Sequence, residues 1–391
     1  MTDFFDKALL PAGFSDVLAP DADFEASVLN RLLRCFSGHG YDRVEPPLIE
    51  FEDGLLTGIG AGLAEQTFRL MDPESQRMMA VRADITPQVA RIAQARLAKA
   101  PRPLRLSYAG QVLRVRGSQL RPERQFTQVG AELIGAAGPA ADAEVIAMAA
   151  GALIELGVAE LSCDLGLPAL VPAVSGDADP SLQAKLRQAL DRKDAAAVAG
   201  LGGELGEALT QTLAAMLSAA GPAAKTLDAL GCLGLESDAE DGRKLLADVV
   251  DRVRAARPEL KLTIDPVENR GFEYHTGVTF TFFAKGVRGE LGSGGRYAAN
   301  GDDANGGEPA TGFTLFMDTV LRALPAPVTA SRVFLPAGTP AEEAAKLRAK
   351  GWIAVASLDQ GADAETEAKR LACSHLLDGG KIKEIGKKKK G

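Results

Sequence analysis

The chain has 391 residues, 46% of them hydrophobic and 25% charged. That is ordinary globular composition, with material for two or three domains rather than one. A net charge of -8 makes it a poor default binder of tRNA or DNA, because phosphate contacts need clustered Lys and Arg.

The acidic start MTDFFDK lacks a signal pattern, and no apolar run approaches a bilayer's thickness. Residues 9–20 are a Pro/Gly-rich lead-in. Apolar Phe24, Val28, Leu32 and Phe36 recur at helical spacing and predict a helix over 22–38. GYDRVEPPLIE (40–50) is extended and stiffened by two prolines, and MMAVRAD (78–84) reads as a strand. Thr86 is placed as the N-cap and Pro87 at the first position of a helix running to about Lys99. Residues 104–115 and 124–134 read as an antiparallel hairpin joined by the polar loop RGSQLRPE.

An alanine-rich helix (139–157) and a short strand (161–166) follow. Residues 168–260 read as a helical insertion. Strands return from 261, with a Gly-rich turn, GELGSGGRY, at 289–297. A linker is expected at 325–331, then a small α/β domain over 332–391 that ends in a basic KKKKG tail, read as a solubilising end in preference to a contact for RNA or an acidic partner. The core domain then covers 1–324, interrupted by the insertion. The four cysteines (Cys35, Cys163, Cys232, Cys373) are scattered, so reduced thiols are expected and a structural zinc site is not. The expectation is a cytoplasmic protein with no metal or cofactor.

Two segments carry candidate chemistry. In the 124–135 strand, alternation puts Phe126, Gln128, Gly130 and Glu132 on one face. Gly130 would let a ligand approach the sheet between an amide and a carboxylate; a solvent-facing polar row is the equal alternative. RGFEYHTG (270–277) packs Arg270, Tyr274 and His275 between glycines. Arg270 could clamp a carboxylate, and Tyr274 and His275 could line a pocket. A hydrogen-bonded structural histidine is the simpler role for His275. Asp84 and Thr86 sit at a strand-to-helix junction, where capping alone would also explain them.

Together, GYDRVEPPLIE, VRADITPQ, the hairpin from Tyr108 to Gly135, and RGFEYHTG with GELGSGGRY resemble the catalytic core of histidyl-tRNA synthetases. The resemblance spans roughly residues 9–165 and 261–324. It implies an α+β class II aminoacyl-tRNA synthetase-like fold, an antiparallel sheet flanked by helices, dimerising through the Pro47 segment. It also implies a histidine pocket. Asp84 and Thr86 would hold the α-amino group, with Asp84 where synthetases usually have Glu. Gln128 would contact the amino and carboxylate ends, Glu132 would accept the imidazole N–H, and Arg270 would face the carboxylate. Tyr274 and His275 match a Tyr-Tyr pair.

The ATP side departs from that family. Arg114 survives as a vestige, but the adenine-reading Glu position is Arg116. The γ-phosphate arginine position matches Thr319, next to Asp318, with Arg322 one turn later. Ala298 stands where an acid is expected. Losing one preorganised charge contact costs about 3–4 kcal/mol, so several losses should abolish adenylation.

RADITPQVAR and FEYHTGVTF resemble the paralogues that serve as regulatory subunits of ATP phosphoribosyltransferase. That resemblance implies a non-catalytic chain in a hetero-oligomer, commonly an octamer, with a short-form ATP phosphoribosyltransferase catalytic subunit. It also implies feedback inhibition by L-histidine at the first step of its biosynthesis. The competing readings are an active histidyl-tRNA synthetase, another ATP-using ligase, or a free-standing histidine-binding or RNA-binding regulator.

Overall fold

Apolar residues at helical spacing put Val28, Leu32 and Phe36 on the buried face of Asp21–Gly38. The computed structural model describes residues 9–119, 121–176, 179–268, 275–299, 307–327, 330–359 and 363–385. Arg270 and Tyr274 lie outside them. The chain divides into two compact units, Met1–Pro325 and Ala326–Gly391.

In the first unit the strands are β1 (Asp42–Arg43), β2 (Ile49–Phe51), β3 (Arg69–Met71), β4 (Met78–Val81), β5 (Leu104–Leu113) and β6 (Gln125–Ile134). They continue as β7 (Leu161–Gly166), β8 (Gly221–Pro222), β9 (Lys261–Ile264), β10 (His275–Ala284), β11 (Gly292–Ala299) and β12 (Glu308–Phe316). Among the described residues, nine of them form one sheet in the order β1-β5-β6-β12-β11-β10-β7-β9-β8. From β5 through β7 every neighbouring pair is antiparallel. β2, β4 and β3 form a separate antiparallel sheet. This is the α+β, class II synthetase-like arrangement expected from the sequence.

The core explains why β6 does not alternate in burial. Val129, Ala131 and Leu133 pack among the helices Asp21–Gly38 and Pro139–Leu156, while Phe126 and Ile134 pack with Ile85, Val89 and Ala93. Both faces are covered, as in a central strand between helical layers. A solvent-facing polar row is thereby excluded for Gln128 and Glu132, which are 0% and 1% exposed.

Two boundaries differ from the sequence reading. The helix after β4 is Thr86–Ala95, ending one turn before Lys99, and Thr86 makes no capping bond. Its amide donates instead to Asp84 Oδ1 at 2.9 Å. Residues 168–260 are not helical throughout either. Gly221–Pro222 pairs with β9 at the sheet edge. Val249, Val250 and Val253 of Ser237–Ala256 join the same core as Val145 and Leu153. The insertion thus has no core of its own.

The second unit has β13 (Arg332–Leu335), β14 (Ile353–Ala356), β15 (His375–Asp378) and β16 (Lys381–Glu384) in the order β14-β13-β15-β16. Strand alternation sends Val333 and Leu335 into one cluster with Leu347 and Leu377. Phe334 goes to the opposite face with Ala368 and Cys373. Asp363 caps the Ala364–Arg370 helix, accepting the Thr366 amide at 2.9 Å. Asp363→Ala should lower this unit's midpoint in denaturant melts, with Asp363→Ser restoring most of it.

Candidate functional site

An open pocket of about 720 Å³ lies where the 86–95 helix begins, against β10, β11 and β12. Asp84, Thr86, Arg114, Arg121, Glu290 and His275 all line it. The short helical stretch Gly58–Gln66 forms another wall.

Asp84 is fixed by two donors. Thr86 N donates to its Oδ1, and Gln128 Nε2 donates to its Oδ2 at 2.8 Å. Gln128 in turn accepts the Ile85 amide at 3.1 Å. The 84–86 turn is therefore stitched to the middle of β6. A carboxylate suits this position because both of its oxygens must accept.

Glu132 lies one layer down. Its Oε1 accepts from Thr86 Oγ1 at 3.0 Å, and its Oε2 accepts from Tyr297 OH at 2.9 Å. Tyr108 OH is 2.7 Å from Thr314 Oγ1 and 3.2 Å from Thr86 Oγ1. Burial pushes the Glu132 carboxyl up to about 8, against three hydroxyl donors that partly restore its charged form. Burial first, then the charge of Glu132, drives the Tyr108 phenol well above its usual value.

The space over Gly130 is not open to a ligand. A Cβ there would meet the Phe313 carbonyl at 2.2 Å and Tyr108 OH at 2.5 Å. The missing side chain makes room for the tyrosine that serves Glu132. Gln128 and Glu132 thus underlie the pocket rather than line it. His275 opens β10 across from Tyr297, with its ring packed over Gly295. Glu290 and Arg121 escaped the sequence reading. Glu290 sits in the GELGSGGRY run already singled out, so an acid beside a glycine turn was the available clue. Arg121 lay in a loop with no periodicity to place it.

Thr319 is 1% exposed and accepts from Arg322 Nη2 at 3.2 Å. Arg322 also approaches Asp318 at 3.6 Å and Glu123 at 3.7 Å. Arg121 donates to Asp318 at 3.2 Å and stacks over Phe316 at 3.8 Å. Burial lowers the Arg114 guanidinium's basicity, which the Asp84 charge opposes. Arg116 is exposed.

Among the described residues no group of three or more His, Cys, Asp or Glu could hold a metal. No helix there is long and apolar enough to cross a membrane.

The histidyl-tRNA synthetase family model matches residues 13–320. The chain is 57% identical to the ATP phosphoribosyltransferase regulatory subunit of Rhodospirillum centenum, over 97% of this chain and 96% of that one. It is 46% identical to the protein so named in Gluconobacter oxydans, over 97% of each. Its structure is similar to that of an ATP phosphoribosyltransferase regulatory subunit/histidyl-tRNA synthetase from Bacillus halodurans C. The TM-score is 0.81 at 25% identity, covering 94% of this chain and 97% of that one. The histidyl-tRNA synthetase of a Nostoc species shares the fold, with a TM-score of 0.77 at 18% identity over 95% and 91%. The chain belongs to the histidyl-tRNA synthetase-like family of ATP phosphoribosyltransferase regulatory subunits.

Proposed function

We propose that this chain is the non-catalytic partner of a separate, short-form ATP phosphoribosyltransferase chain, and that it binds L-histidine in the pocket at Asp84 to confer feedback inhibition. The observation that carries the reading is the convergence of Asp84, Thr86, Arg114 and His275 on one cavity in a member of this family. A zwitterionic amino acid needs an anion for its ammonium, a cation for its carboxylate and a separate partner for its side chain. Asp84 supplies the first. Arg114 supplies the second, together with Arg270 as the family resemblance implies. His275 and Glu290 line the same cavity and are available to the imidazole, with Tyr274 added as the family resemblance implies. Gln128 and Glu132 hold Asp84 and Thr86 in place, and the resemblance gives Glu132 the imidazole N–H as a further partner behind Thr86. The partnership is a hetero-oligomer, an octamer by resemblance, built on dimers of this chain.

The non-catalytic half of the reading is supported by Thr319, which is buried at the position where the resemblance expects a phosphate-binding arginine, and by Arg121 and Arg322, which are engaged with Asp318. Arg114 and Arg121 do line the pocket, which favours an active synthetase as the second reading. Two measurements separate them. Calorimetry with L-histidine on the complex should give saturable binding, and histidine-dependent pyrophosphate exchange should be absent. Exchange above background would overturn the non-catalytic reading, and the absence of binding would overturn the histidine one.

A further inference from the structure

The residues that flank Asp84 and Thr86 reach away from the pocket to a different surface. Arg82 is 6% exposed and Gln88 is 1% exposed. Arg82 Nη1 donates to the Pro46 carbonyl at 2.8 Å, and its Nε donates to the Gln111 carbonyl at 2.8 Å. Its backbone amide donates to the Leu48 carbonyl at 3.1 Å. Gln88 Nε2 donates to the Pro47 carbonyl and to Glu50 Oε1, both at 2.7 Å. Arg91, one turn further along the same helix, pairs with Glu50. The segment 46–51 is therefore held from beneath by side chains of 82–91.

Its outer side is apolar and, in the single chain, exposed; this is the Pro47 segment through which the family resemblance implies dimerisation. Leu48, Ile49 and Phe51 are 37–41% exposed, and Met71 and Met78 of the same small sheet are 61% and 41% exposed. Arg82 and Asp84 are two residues apart in the bend between β4 and the helix, and Gln88 lies in the first turn of the helix that Thr86 opens. A ligand that draws on Asp84 and Thr86 acts on this turn directly. Arg82 and Gln88 are buried, so hydrogen bonds lost in a shift of the turn are not readily replaced. A shift of the turn is therefore coupled to 46–51.

We infer that Arg82 and Gln88 are positioning residues that relay occupancy of the Asp84–Thr86 pocket to the exposed apolar segment 46–51. The inference rests on the proposal that L-histidine binds this pocket and adds the route by which binding reaches the surface. It gives the two buried side chains a role beyond packing, because each spans from the ligand turn to main-chain carbonyls of that segment. Coupling of this kind changes a local equilibrium by about fivefold or more.

The test is amide hydrogen exchange of the full-length chain, with and without saturating L-histidine. Peptides covering 46–51 should exchange about fivefold more slowly with histidine. In Gln88→Met, of similar volume, that response should fall below about twofold while calorimetry still detects binding. Glu50→Gln, which leaves the pocket untouched, should also reduce it and covers the case in which the Gln88 variant does not fold. Histidine binding with unchanged exchange at 46–51, or a wild-type response in both variants, overturns the relay. No histidine binding in the wild-type sample overturns the pocket reading instead, and the relay with it.

Discussion

Asp84→Ala is expected to weaken L-histidine binding about a hundredfold or more, the scale of removing one partner from a buried, charge-assisted contact. Asp84 is the pocket carboxylate best suited to an ammonium, since both its oxygens are already fixed by Thr86 N and Gln128 Nε2. Because those bonds also shape the turn, alanine alone would mix binding with folding. Asp84→Asn separates the two. It keeps an acceptor for Thr86 N but loses the charge, and its amide faces the Gln128 donor. Affinity should fall at least about tenfold, and the loss of melting temperature that the two facing donors cause is read separately in the ligand-free chain. Unchanged affinity in Asp84→Asn would remove Asp84 from the ammonium site.

The second large effect is on stability and comes from Glu132. Its carboxyl is shifted from 4.5 to about 8 in the folded chain, chiefly by burial. Between those values the folded state keeps the proton and the unfolded state releases it. The unfolded state binds fewer protons, so unfolding free energy falls as pH rises. The loss begins near pH 4.5 and is complete near pH 8. Its slope approaches 1.4 kcal/mol per pH unit, with a ceiling of about 5 kcal/mol. Glu132→Gln keeps the shape and removes the titration. Denaturant melts of this variant should show a flatter pH profile and a gain over the parent that grows toward pH 8. Parallel profiles for the two chains would show that Glu132 is not the group responsible.

Much of the fold was legible because hydrophobic spacing and chain breaks agree. The 22–38 helix, the β5–β6 pair and the C-terminal strand–helix alternation all follow from periodicity and from Gly and Pro. The two-residue strand Gly221–Pro222 was not legible. It is too short to show a period, and only its pairing with β9 makes it a strand. Thr86 was misread for a more general reason. A threonine before proline at a helix start usually caps. Here Glu132, 46 residues away, claims its hydroxyl.

The site was legible as a set of residues but not as layers. Strand alternation puts Gln128 and Glu132 on the pocket side of β6, and it cannot reveal that Tyr108 and Tyr297 close over Glu132. Depth is a property of the cross-strand neighbours. In the register, Tyr108 pairs with Gly130, and Gly312 lies directly across from Glu132. The glycines are where larger neighbours close in.

The central claim is that this chain makes a separate catalytic chain responsive to histidine. Its most direct test is ATP phosphoribosyltransferase activity of the reconstituted pair, titrated with L-histidine. The prediction is activity that depends on this chain and is suppressed by histidine, with suppression lost in Asp84→Asn while basal activity remains. Full activity from the catalytic chain alone, or activity of the pair that histidine leaves unchanged, would contradict it.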